Sequence, residues 1–201
     1  MTTRDGRPPN RTGDPPRTGV AADDPRNHGV IGHFRPPKVD AAYLRDRLGA
    51  SMPCAAAEQV EVRVGEVLAR IAATPHRPPP PLSQPLEAAP DPWFGLGTHP
   101  DIIEHLWELD GALPQSCRWL VWGFPALVHP GTGVIFAIGF GTIGTVIRLP
   151  TGEREGASAM RLTNPGRHYD ISPAGPEWRF LPRENEQACC RAAYRFAGAA
   201  D

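Results

Sequence analysis

Asp101, Glu104, His105 and Glu108 recur at three- and four-residue intervals, the spacing that gathers side chains on one flank of a helix. A carboxylate and an imidazole one turn apart can share a divalent cation, and a second carboxylate beside them can take a proton from metal-bound water. Read this way, Asp101 and His105 are ligands, Glu104 is the general base, and His99, His129 or His168 must supply a third ligand. The competing reading is an acidic, solvated helix face on which His105 pairs with Asp101.

The order Asp101-Ile102-Ile103-Glu104-His105 matches the ligand pattern H-x-x-E-H except at its first position, where aspartate removes an imidazole. That loss favours the solvated face. No cofactor is therefore expected, and a metal-dependent hydrolase stands as the alternative. His129 before Pro130 and His168 beside Tyr169 are each placed for general-base work, but neither has a readable partner. Ser116-Cys117 precedes a strand pattern and lacks the strand-to-helix elbow of an activated nucleophile.

Gly139-Phe140-Gly141-Thr142-Ile143-Gly144 satisfies the dinucleotide fingerprint G-x-G-x-x-G. A phosphate loop needs a helix after its third glycine, so that backbone N–H groups face the anion. Thr145-Val146-Ile147-Arg148-Leu149-Pro150 is β-branched and then broken by proline, so Gly139, Gly141 and Gly144 read as a turn between strands. A kinase loop fails as well, because Lys38 is the only lysine and lies upstream.

Trp107, Trp119, Trp122 and Trp178 are candidate contact residues, since tryptophans left exposed on a sheet mark a surface for protein or a small ligand.

The elements that must hold these residues follow from periodicity. Pro100 suits the first turn of a helix capped by Thr98 or His99, with Ile102, Leu106, Leu109 and Leu113 as its apolar stripe. Residues 118–122, 126–129, 134–140 and 143–149 are short β-rich runs divided by glycine and proline turns, with further strands at 159–162 and 178–181. A last helix over residues 183–196 presents Cys189, Ala192, Ala193 and Phe196. The class is α+β, a small antiparallel meander covered on one face by an N-terminal and a C-terminal helix.

Upstream of residue 93 the composition changes. Of the 201 residues 25 are proline and 21 glycine, and the prolines concentrate in this part. Residues 1–37 read as a disordered arm with almost no apolar side chains. Residues 38–73 read as a helical pair, the first helix capped by Asp40 and stopped by Gly49, the second carrying Val60, Val64, Val67, Leu68 and Ile71 from Pro53 onward. Residues 74–92 read as a proline-rich linker of polyproline II type, and residues 93–201 as the α+β domain. The helical pair has too little core to stand alone and must dock on the main domain, a second copy or a partner.

The net charge of −1 gives no electrostatic footprint for nucleic acid. The uncharged stretch 130–147 is long enough to span a bilayer, but its glycines and threonines break the helix that spanning requires. Residues 1–20 are polar and rich in proline and arginine, without the apolar core of a secretory leader, and the four cysteines show no metal or redox spacing, so reduced thiols and the cytoplasm are expected. The scarcity of lysine reads as a GC-rich, bacterial coding bias. Taken together, the residues favour a non-enzymatic protein-interaction or regulatory module acting through self-association or a protein partner, with a small-ligand-binding domain as a further alternative.

Overall fold

The computed structural model describes residues 19–36, 38–73, 81–86, 98–163 and 167–199. The chain divides into two compact units, one of Arg35–Pro80 and the other of Met1–Phe34 with Pro81–Asp201.

The larger unit is α+β and is built on a six-stranded antiparallel sheet. Strands β1 (Ser83–Pro85), β2 (Arg118–Val121), β3 (Phe124–Val128), β4 (Ile135–Phe140) and β5 (Gly144–Arg148) run as a meander. After them come β6 (Met160–Thr163), β7 (Arg167–Asp170) and β8 (Trp178–Phe180). β8 closes the sheet beside β5, while β6 and β7 form a separate hairpin. The β2–β3 connection is the two-residue turn Trp122-Gly123, with φ of 49° and 83°, the doubly positive pattern that matches strand twist.

Helices α4 (Pro100–Gly111) and α5 (Glu186–Gly198) lie on one face of the sheet. Their Leu106, Leu109, Cys190 and Ala193 pack with Leu127, Phe136, Ala137 and Ile147. Adjacent Phe136 and Ala137 both enter this core because the β3–β4 register shifts: Leu127 opposes Ala137 while Val128 opposes Ile135. The extra residue is a bulge, which turns two neighbouring side chains to the same side. Gly139 lets α4 approach, since a Cβ there would come within 2.7 Å of Ile102 and Leu106.

The expectation of disorder over residues 1–37 fails in its second half. Residues 1–18 lie outside the described residues, but Pro25–Phe34 form helix α1 with Asn27, Val30 and Phe34 buried. Those three positions share one helical face, so a sparse segment spends its few large side chains where they can be covered. Phe34 packs edge-on against Phe124 and Phe140, each with ring centroids 5.2 Å apart. With Ile171 and Ala174 of a short 3-10 helix, Ser172–Ala174, α1 covers the second face of the sheet, which therefore has helices on both sides.

The linker also shortens. Residues 74–80 and 87–92 are outside the described residues, but Ser83–Pro85 pair with β2 as an edge strand and Leu86 is buried. Proline fits an edge because only one side of the strand must donate N–H groups to a neighbour.

In the smaller unit α2 (Ala41–Ser51) begins with Asp40 accepting the Tyr43 N–H at 2.9 Å. It passes through Gly49 and ends at Ser51. Gly49 has no positive φ; Met52, which precedes Pro53, is the residue forced out of helical geometry. Helix α3 (Ala57–Ala73) starts four residues later than expected, where the Gln59 side chain reaches back to accept the Ala56 N–H at 3.3 Å. Among the described residues no helix is long and apolar enough to cross a membrane; the uncharged stretch is turn and strand.

Candidate functional site

The first turns of α4 bring together most of the residues with chemical potential. His99 caps the helix by accepting the Asp101 N–H, and its Nδ1 lies 3.5 Å from the Asp101 carboxylate. Asp101 is therefore engaged by the cap and not by His105. His105 turns across to α5, its Nε2 3.4 Å from Glu186 and its Nδ1 4.0 Å from Glu108. Glu104 is exposed and has no partner among the described residues.

The other histidines are elsewhere. His129 accepts the Thr132 N–H through Nδ1 and lies against Tyr194, while Thr132 donates to Ala197 near the far end of α5. About 16 Å of helix separates Ala197 from Glu186 and the His105 end. His168 is exposed on β7. Among the described residues no three His, Cys, Asp or Glu side chains are close enough to share a metal ion.

The same region opens into a cleft of about 260 Å³. It is lined by Asp101 and His105 of α4, by Arg183 and Glu186 around the start of α5, and by Gly144 of β5 and Arg161 of β6. Arg161 is anchored, with Nη1 donating to the Ile143 carbonyl at 2.7 Å and the guanidinium 4.9 Å from the Phe180 ring centre. It lies directly on the Gly144 backbone, where any Cβ would collide with it. Burial and the nearby Arg183 charge push the Arg161 pKa down. Neither arginine has a carboxylate partner among the described residues.

Arg161 and Arg183 carried no signal in the sequence. They lie far apart in the chain, and only the hairpin β6–β7 folding back over the end of β5 brings them together. Gly139 and Gly144 sit in the paired strands β4 and β5, with Gly141 between them at φ +53°.

The tryptophans divide differently. Trp178 and Trp119 are core residues, 0% and 8% exposed, and offer no contact surface. Trp107 is half-buried beneath the Arg118 guanidinium, and Trp122 occupies the β2–β3 turn. Among the described residues the exposed large apolar side chains are instead Val39, Met52, Val62 and Ile71 in the smaller unit and Met160 and Leu162 on β6. Helix α3 carries most of an apolar stripe whose only fully buried member is Val64, and α2 buries Leu44. Arg45 and Glu61 tie the two helices by an exposed ion pair at 2.5 Å, worth little in free energy.

Two half-buried histidines carry a pH dependence. His33 Nε2 lies 2.9 Å from the Tyr169 hydroxyl, and burial holds its pKa below the ordinary 6.5, against an upward pull from Asp170. His129 is lowered by burial and by the Arg26 charge. The folded state therefore binds these protons less readily than the unfolded chain. Stability is fully present above the unfolded value and falls as pH drops through it. Urea midpoints measured between about pH 7.5 and about pH 5.5 should decline on acidification, and His33→Gln with His129→Gln should flatten that slope. An unchanged slope in the double variant would place the titration elsewhere.

Comparison of the chain with models of protein families, with characterised proteins and with solved structures finds no match.

Proposed function

We propose that this protein is a non-enzymatic interaction module whose docking element is the α2–α3 pair, and that the occupant of its apolar face is a second copy of the pair. One observation carries the reading: a separate compact unit buries only Leu44 and Val64 within its helices while Ile71, on the same stripe as Val64, stays 48% exposed. A helical pair of this size removes too little apolar surface from water to offset the entropy of ordering it. Two such pairs, each bringing one stripe, close a four-helix bundle with no further component.

The exposed Cys54 and the buried Cys117, Cys189 and Cys190 are all outside disulfides, which supports placement in a reducing compartment such as the cytoplasm. The hydrolase alternative has weaker support, since Asp101 is engaged by His99 and Glu104 stands alone.

Sedimentation velocity on the full chain tests the assignment. The wild type should sediment as a dimer at micromolar concentration, and Val67→Glu with Ile71→Glu should yield a monomer whose larger unit melts unchanged. A wild type that stays monomeric throughout that range overturns the assignment.

A further inference from the structure

We infer that the cleft between α4, α5 and the β6–β7 hairpin binds a small zwitterion of the α-amino carboxylate type, its carboxylate held by Arg161 and Arg183 and its ammonium group by Glu186. This site lies wholly within the larger unit and does not depend on the helical pair.

The first argument is charge. Two guanidinium groups line one cleft with no carboxylate partner among the described residues, an arrangement in which like charges repel until an anion arrives. Arginine is suited to that anion because its planar fork matches a carboxylate with two parallel hydrogen bonds. Arg161 is also pre-oriented by its bond to the Ile143 carbonyl and its position over Phe180, so little side-chain entropy remains to be lost on binding.

The second argument is that both signs of charge line the cleft: Glu186 and Asp101 stand beside Arg161 and Arg183. A phosphate dianion held by the arginines would lie near these carboxylates. A zwitterion satisfies both signs. His105, 3.4 Å from Glu186, lies beside the cationic end and limits how Glu186 can turn.

The third argument is size. The cleft measures about 260 Å³. That accommodates a free amino acid and is below the range of about 300–1,000 Å³ usual for drug-sized ligands.

The test follows the amide resonances of Gly144 and Thr145 in the full chain while free L-α-amino acids are titrated one at a time. Inorganic phosphate, acetate and methylamine serve as comparison probes. At least one amino acid should saturate these shifts, with acetate and methylamine, each carrying half of the charge pair, at least about tenfold weaker. Arg183→Gln and Glu186→Gln should each weaken the best amino acid about tenfold; both positions are on the surface side of the cleft, and unchanged thermal melting confirms that each variant folds. Saturation by phosphate as tight as by any amino acid, no saturation by any amino acid, or undiminished binding in both folded variants would overturn the inference.

Discussion

Replacing Asp110 with alanine is expected to destabilise the larger unit by about 3 kcal/mol or more, the greatest loss from any single polar side chain here. Asp110 is 4% exposed at the end of α4 and accepts two hydrogen bonds, from the Cys117 N–H and from Arg118 Nε, each at 2.6 Å. It thereby joins the helix to the start of β2. Alanine removes the Asp110 oxygen that accepts the buried Cys117 N–H and the counter-charge of Arg118. Arg118 is 26% exposed, so it can recover some hydration, and the cost stays toward the lower end of the range for a broken buried pair. Asparagine retains an acceptor for Cys117 and should cost about 1–2 kcal/mol less than alanine. Urea unfolding of both variants measures the difference. An alanine variant within about 1 kcal/mol of wild type would show that the junction relaxes around the loss.

The second large effect is expected at Asn27. Its Nδ2 donates to the Ala21 carbonyl at 2.8 Å and to the Gly133 carbonyl at 3.0 Å, while its Oδ1 accepts the Ile135 N–H at 2.8 Å. The side chain is fully buried and fastens α1 to the start of β4. Asn27→Ala should cost about 2–3 kcal/mol, because the backbone groups it leaves cannot reach water. Asn27→Asp keeps the shape but points a carboxylate at two carbonyl oxygens. That carboxyl should have a raised pKa in the fold, so the variant should lose stability as pH rises and recover it in acid. Urea midpoints at acid and neutral pH read the sign directly, and equal midpoints for Asn27→Asp and wild type at neutral pH would remove Asn27 from this role.

These two residues mark where sequence reading succeeds and stops. The meander was legible because residues 118–149 alternate β-branched runs with turns, and glycine and proline punctuate a chain by local chemistry alone. Helix α4 was legible from Pro100 and its spaced leucines, although the buried isoleucine is Ile103 and Ile102 is half-covered. Helix α1 was not legible, because its decisive residue is an asparagine. Nothing local distinguishes an Asn in a polar arm from one that meets two backbone groups more than a hundred residues away. Strand β1 was hidden by the proline that its edge position tolerates. The candidate site was half legible: Asp101 and His105 share a helix flank, but Arg161 reaches the cleft from β6 and Arg183 and Glu186 from around the start of α5, and His105 chooses a partner on another helix.

Strand β1 has a consequence for the life of the chain outside its native state. Without Ser83–Pro85 the outer edge of β2 would present unpaired N–H and C=O groups beside Trp119, Leu120 and Val121, a template onto which further strands can add. Pro85, paired opposite Trp119, breaks that series because it has no N–H to offer the next strand. The short cap thus limits open-ended sheet growth. Any cleavage that releases it would convert a stable domain into a seed for aggregation.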